Sequence, residues 1–337
     1  MDMRDALPAS LSAADQALVD AVLARGSGQR RALAKTITLI ESTRVDHQAR
    51  ARQVLATLLP HTGRAIRVGI SGVPGSGKST FIEALGNFLI DGGKRVAVLA
   101  VDPSSSISGG SILGDKTRME SLCQREEAFI RPSPTSGALG GVAEKTREAM
   151  LLFEAAGFDV IIVETVGVGQ SETMVAGMVD LFVLLQLVNA GDDLQTIKKG
   201  IVEIADLVLF NKADIDEKAA HLAQLQMTSA LTMLRPASRN WRVPVLTVSA
   251  LARRGIPAFW AEVEKYRETL SGSGEFDAKR RRQALAWMWN MIDSGVRQHF
   301  RQHPKVAAEL AQLSEAVAEG KMTPGAAAYR LLDNIKQ

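Results

Sequence analysis

The chain predicts an α/β fold in which a mostly parallel sheet carries helices on both faces. Three observations lead there. Candidate strands at 66–70, 96–101, 128–131, 159–164, 181–187, 206–210 and 244–248 are mostly unbroken runs rich in Val, Ile and Leu. That is the pattern of strands buried on both faces. Helical periodicity alternates with them, as at 79–91, 141–156 and 195–204, and such alternation marks parallel crossovers. The run GVPGSGKST, Gly72 to Thr80, sits between the first strand and the first of those helices. Sheets of this kind bind ligands at the carboxyl ends of their strands.

Taken in order, residues 1–62 predict a helical N-terminal extension. Leu11, Leu18, Val22 and Leu23 form one apolar stripe, Ala32, Leu33, Thr36, Ile37 and Ile40 a second, and Val54, Leu55, Leu58 and Leu59 a third. Gly26-Ser27-Gly28 divides the first two, and Pro60 and Gly63 end the last. Residues 63–270 predict the ligand-binding α/β domain. Residues 271–337 predict a helical C-terminal arm, opened by the linker-like Ser271-Gly272-Ser273-Gly274. Lys279-Arg280-Arg281-Arg282 reads as a solvated helix start. Trp287 and Trp289 follow at helical spacing with Met291 and Val296; tryptophans there predict core or a subunit interface. His299 and His303 have a metal-capable spacing, but no third ligand accompanies them.

Composition narrows the function classes. The 337 residues are 46% hydrophobic and 23% charged, an ordinary globular balance. A net charge of +3 is too small to argue for nucleic acid. The single cysteine, Cys123, excludes an internal disulfide and a cysteine-rich metal site. No run of 18 apolar residues exists, so no membrane partner is expected. The opening MDMRDALPAS lacks a signal-peptide core. A cytoplasmic location is the expectation.

The chemistry concentrates at predicted strand ends. Gly72, Val73, Pro74, Gly75, Ser76, Gly77, Lys78, Ser79 and Thr80 fit the phosphate-loop pattern G-x-x-x-x-G-K-[ST], in the strand–loop–helix setting of a P-loop NTPase. Glycines let amide N–H groups turn inward around phosphates, and the helix N-terminus adds its positive end. Lys78 is expected to reach the β- and γ-phosphates and Ser79 to hold Mg²⁺. Asn211-Lys212-Ala213-Asp214, after the sixth strand, matches an N-K-x-D box. The Asp214 carboxylate can accept N1–H and N2–H₂ of guanine, a donor pair adenine lacks. Asn211 is expected at the N7 side of the base and the Lys212 stem along it. Ser249-Ala250-Leu251 fits a turn that offers a backbone N–H to guanine O6. Glu164 and Gly167, in Glu164-Thr165-Val166-Gly167, stand as acid and glycine where Mg²⁺ and a γ-phosphate would be sensed. Asp102 ends the second strand and is a further organiser of Mg²⁺. Asp115 is another, on a loop that could close over the γ-phosphate.

The runs VDPSSSISGGSILGDKTRM, RPSPTSGALGG, VETVGVGQSE and AGDDLQTIKKG together resemble the MeaB/ArgK family of P-loop GTPases, over about residues 30–337. The resemblance implies a GTP-hydrolysing metallochaperone with GTP or GDP and Mg²⁺ bound. Its implied partner is an adenosylcobalamin-dependent acyl-CoA mutase, whose cofactor loading it gates and which it protects or reactivates. It also implies a homodimer formed by the C-terminal arm. The family's first switch maps to Asp102 through Asp115, its second to Glu164 through Glu172, and its additional switch to Asn189 through Lys199. In that last segment Asp192, Gln195 and Lys198 match positions that communicate with the mutase. Val188-Asn189 replaces the Pro-Gly usual in relatives, which alters the start of that loop. The Asp-x-His-x-x-Gly pattern of cobalamin binders is absent, so the chain is not expected to hold cobalamin itself. Hydrolysis is expected to be slow without the mutase, because no Gln directly follows Gly167 to orient water. An amino-acid transport-associated kinase, a metal-insertion GTPase and a nucleotide-binding module without turnover are the alternative readings.

Overall fold

The computed structural model describes residues 11–101, 119–131, 139–165, 171–188, 199–234 and 238–334. Its centre is a seven-stranded, all-parallel sheet in the order β3-β2-β4-β1-β5-β6-β7. The strands are β1 (Ile66–Gly72), β2 (Val96–Val101), β3 (Ala128–Arg131), β4 (Val160–Thr165), β5 (Leu181–Leu187), β6 (Leu207–Asn211) and β7 (Val245–Thr247). All seven lie within a residue or two of the runs predicted from composition.

Alternation along the strands assigns the two faces. Ala97, Leu99 and Val101, with Ile161, Val163, Phe182, Leu184, Val208 and Phe210, point to one core. Val68, Ile70, Val96, Val98, Ile162, Val183, Leu185 and Leu209 point to the other. The first face receives the helix Leu139–Ala155, and over it the helices α1 (Ala13–Leu23), α2 (Gln29–Glu41) and α3 (Val45–Leu58). Val22, Leu33, Ile37, Ile40, Val54 and Leu58 share that core with Leu152 and Phe153. Each such fully buried side chain contributes about 1.5–3 kcal/mol. The second face receives α4 (Lys78–Asp91) and the helix Ile256–Gly272, joined by a T-shaped Phe81–Phe259 contact at 5.1 Å.

Local chemistry sets the helix ends. The Asp15 amide donates to Ser12 Oγ at 3.1 Å and so caps α1. Asp15 itself is buried beneath Arg50, whose Nη2 lies 2.7 Å away. The Arg50 bonds hold its carboxyl below the ordinary range despite its desolvation. Arg30 donates to Ala128 O at 3.0 Å and Arg131 pairs with Glu41. These contacts protect the outer edge of β3 with α2.

Two compact units emerge, divided after Arg280. The second comprises the rest of the helix Glu275–Gln302 with the helices Pro304–Ala318 and Pro324–Asp333. Its small core is Val306, Leu313, Ala327 and Leu331.

The predicted linker at 271–274 is a sharp break between helices instead. The helix continues to Gly272, and Gly274 at φ 73° turns the chain into the helix that begins at Glu275. The basic run is also corrected at its first two residues. Lys279 Nζ reaches Asp206 Oδ2 at 2.9 Å and Asp180 O at 2.7 Å. Arg280 binds both Asp180 oxygens, at 2.7 and 2.6 Å, and the carbonyls of Gly63 and Ala65. Asp180 is 1% exposed. Burial opposes the Arg280 charge, but the Asp180 bonds outweigh it and raise its pKa.

Removing Arg280 leaves the buried Asp180 charge with the Arg67 amide, at 2.8 Å, and no paired cation among the described residues. Arg280→Met is expected to lower stability by about 3–5 kcal/mol in denaturant unfolding, and a loss below about 1 kcal/mol would show the pair to be peripheral.

Candidate functional site

β1 is the switch point of the sheet: the chain leaves it for β2 on one side and later reaches β5 on the other. The loop Gly72–Gly77 leaves its carboxyl end and opens directly into α4. Gly75 and Gly77 have φ of 81° and 84°, in the left-handed region that favours glycine. A Cβ on Gly75 would meet nothing within 4 Å, whereas one on Gly77 would lie 2.6 Å from Asn211 Nδ2. A Cβ on Gly72 would lie 2.2 Å from Leu185 O of β5, so backbone packing alone requires that glycine. Lys78 Nζ curls onto the loop's own carbonyls, donating to Gly72 O at 2.9 Å and Val73 O at 3.2 Å. Ser76 is buried, while Val73, Pro74 and Thr80 are exposed.

Ser79 Oγ donates to Glu164 Oε1 at 3.2 Å. Glu164, 8% exposed, is carried on β4, two strand positions from the sheet centre's phosphate loop. A hydroxyl beside a carboxylate at a helix N-terminus is a hard-oxygen donor set suited to Mg²⁺. Thr165 Oγ1 donates to Ser71 Oγ at 2.9 Å and ties the end of β4 to β1.

The third component comes from β6 and β7. Asn211 ends β6 and is 1% exposed. Its Nδ2 donates to Ser76 O at 2.8 Å, and its Oδ1 accepts from the Ala250 amide at 3.0 Å. One side chain thus joins the glycine loop to the turn after β7. Lys212 follows at φ 60°, a conformation that costs a non-glycine residue about 1–2 kcal/mol. Its Cε lies 3.9 Å from a Cβ built on Gly77, so its stem runs beside the glycine loop. Asp214 is exposed. A hydrogen bond from Ser249 first, then its own backbone and Arg254, hold its carboxyl below the usual range, and it is ionised at neutral pH. Ser249 Oγ also accepts from the Ala252 amide at 3.1 Å. Leu251 is 83% exposed.

Ser249's hold on Asp214 and the Ser71–Thr165 bond were not foreseen from sequence; both join residues far apart in the chain. Asp102, Asp115, Gly167, Asp192, Gln195 and Lys198 lie outside the described residues.

Residues 33–305 match the family model described as methylmalonyl-CoA mutase-associated GTPase MeaB. The chain is 55% identical over 306 residues to a putative GTPase of Caulobacter vibrioides, covering 91% of this chain and 94% of that protein. It is 45% identical to the GTPase ArgK of Escherichia coli, covering 95% and 97%. It is 47% identical to the mouse mitochondrial methylmalonic aciduria type A homolog, covering 92% and 77%. A crystal structure of an LAO/AO transport system kinase superposes with a TM-score of 0.76 at 37% identity, covering 98% of this chain and all of that one.

The Gly77–Asn211 contact yields a direct check. Gly77→Ala combines a forced φ with a 2.6 Å clash and is expected to destabilise by about 1–3 kcal/mol. In a double-mutant cycle with Asn211→Ala the two losses should be clearly less than additive; strict additivity would show that the residues do not share the contact.

Proposed function

The chain belongs to the MeaB family of methylmalonyl-CoA mutase-associated GTPases, and from that membership we propose that it hydrolyses GTP to GDP and phosphate to control an adenosylcobalamin-dependent acyl-CoA mutase. The hydrolysis gates cofactor loading and protects or reactivates the mutase. Methylmalonyl-CoA mutase is the first partner to test, with the isobutyryl- and 2-hydroxyisobutyryl-CoA mutases as close relatives. The observation that supports this reading best is the hydrogen-bonded path from Ser76 through Asn211 to Ala250. It holds a phosphate loop and an N-K-x-D box as one rigid site.

In this reading the amide N–H groups of Val73 and of Gly75 to Ser79 cradle the phosphates. Lys78 exchanges its bonds to the Gly72 and Val73 carbonyls for charge-assisted bonds to the β- and γ-phosphates. Ser79 and Glu164, already in contact, would hold Mg²⁺, joined by Asp102 or Asp115. The ion would neutralise the phosphate charge that grows as the bond to the leaving GDP breaks. Asp214, whose carboxyl Ser249 lowers further below the usual range, accepts both guanine donors. The second Nδ2 hydrogen of Asn211 remains for N7, and the Ala250–Leu251 turn meets O6. Gly167 senses the γ-phosphate, and Asp192, Gln195 and Lys198 pass its state to the mutase. GTP, GDP and Mg²⁺ are the proposed ligands. Cobalamin stays with the mutase.

The homodimer has support in the second unit. Leu285, Trp289, Ile292 and Val296 are 58%, 59%, 42% and 63% exposed and recur at the i, i+4, i+7, i+11 spacing of a helix-pairing seam. A second copy offering the same stripe would bury it. Trp289→Glu with Ile292→Glu should halve the mass measured by sedimentation; an unchanged dimer would place the interface elsewhere.

The decisive measurement is phosphate release with and without the mutase. Turnover on GTP is expected to rise at least tenfold with the mutase, and equal rates would refute the coupling. In the same assay Asp214→Asn should move preference from GTP to XTP. Transfer of the γ-phosphate to an amino-acid or protein acceptor, with none released to water, would favour the kinase alternative.

A further inference from the structure

A basin of about 430 Å³ lies beside the amino ends of β2, β3 and β4, where α1 meets α2. The nucleotide motifs occupy the carboxyl ends, so this basin is separate from them. Three arginines line it: Arg25 at the end of α1, Arg30 in the first turn of α2, and Arg95 before β2.

Two of them are held against aromatic rings. The Arg95 guanidinium stacks on Phe158 at 4.3 Å and that of Arg30 on Phe129 at 5.5 Å. Arg95 is locked further by bonds to Ala156 O and to Gln29 Oε1, both at 2.7 Å. Arg25 comes to the same place. A Cβ built on Gly157 would lie 3.2 Å from Arg25 Nη2 and 3.6 Å from Arg95 Nη1. Two guanidinium groups therefore converge on one glycine, which has φ 80°. No carboxylate pairs with Arg25 among the described residues. Burial, and then the Arg25 charge, push the Arg95 pKa down, and the Asp159 and Glu127 carboxylates offset this only in part.

The backbone adds donors. α2 has Gly28 as its N-cap, with no side-chain cap and no acid in its first turn; Gly26 O takes the Gln29 amide at 3.0 Å, and the amides beyond it and the helix's positive end stand at the basin. The Ser27 hydroxyl stands beside them. Glu126 and Glu127 also line the basin and oppose an anion there, although Arg125 Nε lies 3.7 Å from Glu127 Oε2. Three arginines and an uncapped helix outweigh the two exposed carboxylates.

We propose that this basin is a second ligand site, which binds a small oxyanion-bearing molecule between Arg25, Arg30 and the start of α2. The oxyanion is a phosphate or a polycarboxylate. The volume falls within the range of small-molecule sites, with Leu33, Phe129 and Phe158 as the apolar wall. The inference does not depend on the nucleotide reading, and its test uses no nucleotide.

Inorganic pyrophosphate and citrate are titrated calorimetrically into the full chain and into Lys78→Ala, which disables the phosphate loop. One site that survives Lys78→Ala is expected, weakening as salt rises. Arg25→Gln with Arg30→Gln should weaken it at least tenfold. Both residues are exposed, so the fold should persist, as an unchanged melting temperature would verify. Ser27→Glu, which sets a carboxylate among the donors, should abolish it independently. Stronger pyrophosphate binding identifies a phosphate ligand, and stronger citrate binding a polycarboxylate. The proposal is overturned if neither probe binds at millimolar concentration. It is equally overturned if all binding disappears in Lys78→Ala, or if the arginine variant binds as the parent does.

Discussion

The site depends on the carboxamide of Asn211. It is the last residue of a buried strand and 1% exposed. A side chain so placed must satisfy its polar atoms within the protein, because leaving one unpaired costs about 1–3 kcal/mol. Asn211 does so by spanning two loops that share no covalent neighbour, Ser76 on one side and Ala250 on the other. The adjoining strain at Lys212 persists because its flanks are pinned. Asn211 holds one side, and the Ala213 amide bonded to Val248 O holds the other. Pre-ordering of this kind removes part of the entropy that a ligand would otherwise lose in arranging the loops.

At the amino ends of the same strands stands a second set of constraints. Arg67 on β1 holds Glu154, Asp180 precedes β5, and Asp206 precedes β6. Arg280 and Lys279 gather the two aspartates, and Tyr266 adds a bond to Asp180 O at 2.8 Å. The three strands that carry the phosphate loop, the 188–198 segment and the N-K-x-D box are therefore fastened at their far ends.

The sheet was legible in the sequence because burial on both faces leaves continuous Val, Ile and Leu runs, a signal that needs no partner to interpret. The glycine loop was legible for a similar reason: its φ values demand glycine at Gly75 and Gly77. What sequence missed was long-range. Gly72 was assigned to phosphate approach, yet the Leu185 carbonyl of β5 already excludes a side chain there. Lys279 and Arg280 looked like solvent-facing charges because their carboxylates lie 73 and 100 residues away. The serine-rich break at 271–274 looked like a linker because glycine signals a turn without indicating how short it is.

The strand order also bears on how the polypeptide comes to be folded. Residue 66 at the start of the central strand pairs with residue 160, and residue 68 with residue 181. Among the described residues every neighbouring pair of the sheet is parallel, so no hairpin within the sheet can form first. A nascent chain emerging at about 5–20 residues per second would therefore present β1 and its glycine loop unpartnered for several seconds. During that interval its apolar face is open to other chains, and the helices α1–α3, synthesised earlier, have only each other for cover. High contact order makes such a sheet slow to close.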